Sequence, residues 1–342
     1  MPAVEDSKQM RAGQVVQIFD SRSQNFIQFI NKRRHIMVRK NATHPYLIPA
    51  KTKVNPYRYS FLIDGGDICQ GESPFLLIVV PSVYDHQKNR KVIRQTWGSV
   101  VKTGEWADNT TLPVMKLIFL FGLRHNSSLF STVKADNANV FAMLKNESLV
   151  YGDIVLVDFV DSYKNLTIKS MSALYWATQF CPDAKYLLKN DEDTVINLPW
   201  LIDVLKRSST DFVFGSKRKG STVPRNGTLK WRVSVEEYPP DRYPPYIFGN
   251  YYVIPNNLIG KLFHLSEYIP YLSMEDVFIT GIVRQAAGVS IKSLSTWTCN
   301  PKYCRRFTQR AFIELANVQN VTQIWESFRS PTNLTCSGNS TS

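Results

Sequence analysis

From residue 75 onward, short apolar runs alternate with amphipathic stretches. The runs at 75–80, 114–121, 154–159, 186–188 and 212–214 are strand length and nearly free of polar interruption, the pattern of strands buried on both faces. Between them, 89–97, 132–144, 166–180 and 198–206 space their apolar residues as helices do. Strand and helix in alternation predict an α/β fold, a mainly parallel, doubly wound sheet with helices on both faces. Such sheets bind ligands at the carboxyl ends of their strands, so the loops after Val80 and Leu188 are where chemistry is expected.

Residues 1–70 break this pattern. They are polar, basic and irregular, with the cluster Lys32-Arg33-Arg34-His35 and prolines at Pro45, Pro49 and Pro56, and read as a stem or linker with room for a short helix. The folded domain is expected over 71–330, followed by a polar tail, 331–342. No window holds the ~18 consecutive apolar residues of a membrane helix. The residues after Met1 show no basic segment leading into an apolar one, so neither an anchor nor a secretory signal is visible.

The sequons argue for the secretory pathway all the same. Asn-X-Ser/Thr acceptors begin at Asn41, Asn109, Asn126, Asn146, Asn165, Asn226, Asn320, Asn333 and Asn339, several times the roughly three that chance would supply. A targeting segment is therefore expected ahead of the chain as given. The five cysteines are an odd number. Cys299 and Cys304 are near enough in sequence to close a small loop in an oxidising compartment, two unpaired thiols being the alternative, and their spacing lacks the second Cys or His pair that zinc would need.

Composition narrows the function classes. At 342 residues, 44% hydrophobic and 20% charged, the chain is a packed globular protein, which excludes collagen, coiled coil and low-complexity polymer. Its +13 formal charge favours an anionic partner: nucleic acid, a phosphate ester or a membrane surface. Lysines and arginines are dispersed among carboxylates and no nucleic-acid motif occurs, which weighs against the first. No G-x-G-x-x-G, Walker loop, H-E-x-x-H or G-x-S-x-G is present.

Four constellations could carry chemistry. In Tyr186-Leu187-Leu188-Lys189-Asn190-Asp191-Glu192-Asp193 a buried strand ends in three carboxylates, a concentration of negative charge that suits a divalent cation carrying a diphosphate; a solvated acidic turn is the alternative. Arg90 and Arg94 lie four apart on one helical face beside the loop after the first strand, placed to grip a phosphate or hold a carboxylate. In Ser273-Met274-Glu275-Asp276-Val277-Phe278 the acids precede an apolar helix, where Asp276 can serve as a cap or as a general base on a hydroxyl. Finally, Lys230-Trp231 and Tyr238-Pro239-Pro240 through Tyr243-Pro244-Pro245-Tyr246 read as a stiff loop displaying aromatic rings, as sugar platforms do.

Together these segments resemble the β-1,3-galactosyltransferase family, with its related β-1,3-N-acetylglucosaminyltransferases and the more distant Fringe proteins. The resemblance is carried, in order, by Arg90-Lys91-Val92-Ile93-Arg94-Gln95-Thr96-Trp97-Gly98, Tyr163-Lys164-Asn165-Leu166-Thr167, Cys181-Pro182-Asp183, Leu188-Lys189-Asn190-Asp191-Glu192-Asp193, Tyr243-Pro244-Pro245-Tyr246 and Glu275-Asp276-Val277. It implies a nucleotide-sugar transferase domain of the GT-A type behind a stem and membrane anchor in the Golgi lumen, the anchor not being visible in this sequence. It further implies an inverting hexosyltransferase moving galactose, or alternatively GlcNAc or GalNAc, from a UDP-sugar in β-1,3 linkage to a glycan on a glycoprotein or glycolipid. Asp191 and Asp193 would bind Mn²⁺, or Mg²⁺, on the UDP diphosphate. Arg90 and Arg94 would lie at the nucleotide pocket, Asp276 would be the catalytic base, and Trp231, Tyr246 and Glu275 would contact sugar. An inactive lumenal lectin would keep the fold and the aromatic loop without turning over UDP-sugar.

Expressed behind a signal sequence, the chain is expected to carry N-glycans at several of its sequons, with Asn165 the least accessible because it precedes a packed helix. Glycosidase treatment should raise its gel mobility; unchanged mobility would count against the secretory assignment.

Overall fold

The structure is a computed structural model that describes residues 25–38, 47–106, 108–124, 130–226, 229–294, 296–298, 312–314 and 320–329. In chain order its elements are helix α1 (25–38), β1 (Phe61–Ile63), β2 (Leu76–Pro81), α2 (Gln87–Gln95), α3 (Ser99–Thr103), β3 (Met115–Arg124), α4 (Phe130–Tyr151) and β4 (Ile154–Asp161). There follow α5 (Leu166–Phe180), β5 (Tyr186–Asn190), β6 (Thr194–Ile196), α6 (Leu198–Lys206), β7 (Phe212–Arg218), β8 (Tyr246–Pro255) and α7 (Asn256–Ser266). A π-helical segment (Val277–Val283), α8 (Arg284–Ala287), β9 (Ser290–Ser293), β10 (Thr296–Thr298), β11 (Phe312–Glu314) and α9 (Asn320–Arg329) complete the description.

One eight-stranded sheet organises them, in the order β1-β4-β3-β2-β5-β8-β7-β9. Its centre, β4 through β5, is parallel, while β8 runs antiparallel between β5 and β7. A small sheet of β10, β11 and β6 lies beside it. The sidedness follows from the two-residue repeat of a strand. Leu77 and Val79 of β2 face a core shared with Leu174 and Trp176 of α5, Leu262 of α7 and Phe278. Leu76, Ile78 and Val80 face the other, with Trp97, Leu144 of α4, Leu201 of α6 and Trp325 of α9. A strand covered twice is why the run 75–80 carries no polar alternation.

All five expected strands and all four expected helices are present. The helix expected over 89–97 starts earlier and ends at Gln95, leaving Trp97 free to turn fully inward. The helix expected over 132–144 runs from Phe130 to Tyr151. Two readings need correction. Tyr246 to Gly249, expected in an aromatic loop, begin the ten-residue strand β8. Its aromatic and β-branched residues suit a buried ladder, and Pro244-Pro245 fall just before it, where no ladder donor is lost.

Nor does packing begin at residue 71. On α1, Ile30 and Met37 are buried in the core, and the Arg33 guanidinium donates to the carbonyls of Ala286 (2.7 Å) and Gln285 (3.2 Å) at the end of α8. β1 joins the sheet against β4, and the Trp176 indole donates to the Asp64 carbonyl at 2.6 Å. An amphipathic helix rich in basic residues looks like linker until the surface that covers its apolar stripe is known. No helix among the described residues is long and apolar enough to cross a membrane.

A disulfide joins Cys69, in the loop before β2, to Cys181 at the end of α5, across 112 residues. Spacing in sequence pointed instead to Cys299 and Cys304, which lie outside the described residues, as do residues 330–342. The bridge closes a long loop, so it removes considerable freedom from the unfolded chain. Cys181→Ala should lower unfolding free energy by roughly 2–5 kcal/mol, read as a shift in denaturant midpoint that reducing agent reproduces in the wild type.

Candidate active site

The acidic turn leaves the sheet where β5 ends. Asn190 is fully buried and its amide donates to the carbonyls of Asp191 and Thr194, both at 2.9 Å, closing the turn that displays the three acids. They face different ways. Glu192 points back into the protein, accepting from the Ser82 hydroxyl, from the Asn89 amide at 2.9 Å, and lying 2.7 Å from His86 Nδ1. It therefore ties the acidic turn to the loop after β2. Asp191 and Asp193 remain partly open to solvent. Burial, and then the neighbouring charge of Asp191, hold the Asp193 carboxyl above the usual carboxylate range.

Register brings the second acidic pair to this turn. β8 pairs antiparallel with β5, Lys189 opposite Tyr252 and Asn190 opposite Tyr251, and the Asp191 amide donates to the Asn250 carbonyl at 2.8 Å. One residue further, Gly249 passes the Asp276 side chain so closely that a Cβ there would sit 3.3 Å from it. The Lys189 ammonium spans the gap, 2.6 Å from Asp191 and 3.3 Å from Glu275, and donates also to the Gly249 carbonyl. Glu275 is fully engaged: its other oxygen accepts from Ser170 (2.9 Å) and Tyr252 (3.2 Å). This makes Glu275 a structural partner of Lys189 more than an open sugar contact.

Asp276 is buried at the start of the π-helical segment, and one of its oxygens accepts the Val277 amide at 2.8 Å. The nearby Ser273 hydroxyl accepts from Lys164 at 3.3 Å. Thr280 fixes the segment to β8, accepting the Ile247 amide at 2.8 Å and donating to the Asp276 carbonyl. Burial, followed by the charge of Glu275, pushes the Asp276 carboxyl up to about 7. Tyr163, Tyr243 and Tyr246 surround this charge; each phenol is raised by burial and then further by Asp276, among other groups. Tyr163, noted in the sequence only within a family segment, gains its place beside Asp276 here.

Arg90 and Arg94 do not face this centre. Arg90 is fully buried with all its donors used, two on Glu147 (2.8 and 2.7 Å) and the rest on the Ser82 hydroxyl and the carbonyls of Val83 and Tyr84. Arg94 is bonded to Glu147 and, through two nitrogens, to Asp153, all at 2.7 Å. Arg90 holds the loop after β2 in shape, and Arg94 fixes the Glu147 that Arg90 leans on. Of the two roles expected of this pair, gripping a phosphate or holding a carboxylate, the structure shows the second: Glu147 and Asp153, more than fifty residues away, neutralise both guanidinium groups. Tyr246 is likewise buried, its hydroxyl 3.3 Å from Ser221, whereas the Trp231 ring is 40% exposed.

Among the described residues no group of three His, Cys, Asp or Glu side chains forms a complete metal cage. Asp191 and Asp193 nonetheless offer hard oxygen donors, and the repulsion that adds to burial in raising Asp193 is what a divalent cation relieves. Two carboxylates completed by substrate phosphates are an ordinary Mg²⁺ or Mn²⁺ donor set.

The family model described as galactosyltransferase matches residues 88–295 of this chain. Beta-1,3-galactosyltransferase 5 of Pan paniscus is 34% identical over 230 residues, 66% of this chain and 69% of that protein. Beta-1,3-galactosyltransferase 1 of Mus musculus is 27% identical over 290 residues, 83% and 82% of the two chains. Among solved structures, the galactosyltransferase LgtC in complex with donor and acceptor sugar analogs aligns over 73% of this chain and 95% of its own, at 11% identity and a TM-score of 0.35. The matched region runs from α2 to β9 and contains both acidic pairs and the strand between them, and by this match the chain belongs to the galactosyltransferase family.

Proposed function

We propose that this glycosyltransferase moves a hexose, galactose first among the candidates, from a UDP-sugar to the 3-hydroxyl of a glycan acceptor with inversion at the anomeric carbon. The observation that carries this reading is Asp276: a buried carboxylate, fixed by the Val277 amide, whose proton affinity lies close to neutrality. A general base is most effective when its pKa is near the working pH. Asp276 takes the proton of the acceptor hydroxyl as that oxygen bonds to the anomeric carbon and the bond from that carbon to the diphosphate breaks, its electron pair leaving with UDP. Because Gly249 has no side chain, the face of the carboxylate next to β8 is left open.

Asp191 and Asp193 would hold Mn²⁺ or Mg²⁺, which when bound offsets the charge gathering on the departing diphosphate. Asp193 is the more direct donor, since one Asp191 oxygen is committed to Lys189. Lys189 keeps Asp191 and Glu275 at fixed separation, and Arg90 with Glu192 holds the loop from Ser82 that borders the nucleotide. The Cys69–Cys181 bridge and the many sequons support residence in the Golgi lumen.

Three outcomes test this. Asp276→Asn keeps an acceptor for the Val277 amide but removes the base, so UDP release with acceptor should fall about 10²- to 10⁴-fold. The melting temperature should hold or rise: a carboxyl whose proton affinity is raised on folding costs stability once pH exceeds its unfolded value, and Asn removes that cost. Transfer within threefold of wild type would sink the assignment. In the wild type, kcat/KM should climb with pH up to about 7 and level above it. Asp193→Ala should abolish the metal dependence of UDP affinity, measured by calorimetry with Mn²⁺ and with chelator; equal wild-type affinities under the two conditions would remove the acidic turn from donor binding.

A further inference from the structure

Around the acidic centre the surface changes sign. Residues 217–242, which run from the end of β7 to the approach of β8, carry seven Lys or Arg against three Asp or Glu. Some of these cations are structural: the Arg225 guanidinium is spent on the carbonyls of Val233, Ser234, Tyr238 and Pro240, and holds the segment in shape. Others are not. Arg218 and Lys230 are exposed and form no ion pair with a described carboxylate; each instead lies over aromatic rings.

Both cations lie over or beside residues that border Asp276. Arg218 is paired opposite Tyr246 in the β7–β8 ladder, and its guanidinium lies 4.6 Å from the Phe248 ring centroid, one residue from the Gly249 that touches Asp276. The turn at Tyr163–Lys164 is docked against the entrance to the π-helical segment. Lys164 donates to the Ser273 hydroxyl and to the Arg232 carbonyl (2.7 Å), and Tyr271 donates to the Lys164 carbonyl at 2.6 Å. Above that turn, Lys230 lies 5.3 Å from the Tyr163 ring centroid and 5.8 Å from that of Trp231. Exposed rings of this kind stack on the apolar faces of sugars, and a cation beside them selects a sugar that carries charge. The donor's diphosphate has its own place at the acidic turn, so it leaves these cations unmatched.

We propose that the acceptor is an anionic glycan, one bearing a carboxylate or a sulfate on a sugar next to the reacting residue, gripped by Arg218 and Lys230 beside the residues that border Asp276. This rests on the transferase reading and adds the acceptor's chemical class. The excess of carboxylates at the centre repels an anion, so the acceptor's charge must sit against the two cations and away from Asp276.

The test uses the whole chain and three acceptors with the same reacting sugar: a neutral one, one with glucuronate on the penultimate sugar, and one with a sulfate ester there. Transfer to at least one anionic acceptor should exceed the neutral one by about tenfold in kcat/KM at low salt, and the preference should shrink at about 0.5 M salt. Whether glucuronate or sulfate gains separates the two sources of charge. In Arg218→Gln and Lys230→Gln, both at exposed positions, the anionic-to-neutral ratio should collapse while the melting temperature holds. Equal rates for all three acceptors would overturn the proposal, as would a ratio that survives the double substitution. A double variant that loses UDP affinity with its acceptor ratio unmoved would assign the patch to the donor and likewise overturn it. If no acceptor turns over, the transferase reading fails by itself; calorimetric affinities for the same three glycans then decide the anionic preference independently.

Discussion

The ammonium of Lys189 is the constraint on which the centre depends. A lysine with no access to water is expensive unless its charge is met. Burial works against this ammonium, yet Asp191 and Glu275 more than reverse the effect and hold it above the usual lysine range. The dependence is mutual. Four carboxylates converge here from β5's turn and the start of the π-helical segment, and without a central cation their repulsion would drive the two apart. Lys189 reaches both because β8 sets the lateral spacing, and it fixes β8 in turn through the Gly249 carbonyl. The acidic turn, β8 and the start of the π-helical segment are thus assembled around one positive charge.

A second buried cation does similar work a layer below. Arg90 spends all its donors on Glu147 and on the loop from Ser82 to Tyr84, while Lys169 donates to the Ser82 carbonyl at 2.9 Å and Glu192 receives the Ser82 hydroxyl. Glu147 is penalised by burial, but Arg90 and Arg94 pull its carboxyl below the ordinary range, so the pair stays ionised. Breaking such a pair by removing one partner typically costs about 3–5 kcal/mol, because the survivor stays buried and unmatched. The loop after β2 owes its shape to this arrangement.

Much of this could be seen in the chain itself, and the rest was hidden for identifiable reasons. The parallel strands announced themselves because both faces are covered, and the acids at Asp191, Asp193 and Asp276 because each follows or precedes an apolar element. Of the two readings of Asp276, the cap is the one the structure shows, one oxygen accepting the Val277 amide. What stayed hidden depends on partners distant in sequence. Glu147 claims Arg90 from 57 residues away, Cys181 finds Cys69 across 112, and α1 is recognisable as part of the fold only against α8. Lys189 lay in plain view within the acidic motif, but its role depends on Glu275, 86 residues later. β8 was missed because its prolines and aromatics outweighed the ladder that follows them.

That strand joins two regimes of change. Its second half is locked in register with β5, where a shift of one residue would turn every side chain to the wrong face. Its first residues pair with Arg218 and Lys217 of β7, and the segment that joins the two strands carries exposed side chains such as Lys230 and Trp231. Mutation can therefore explore the rim while the carboxylates stay in place, and lineages descended from such a scaffold can exchange acceptors without reinventing the reaction.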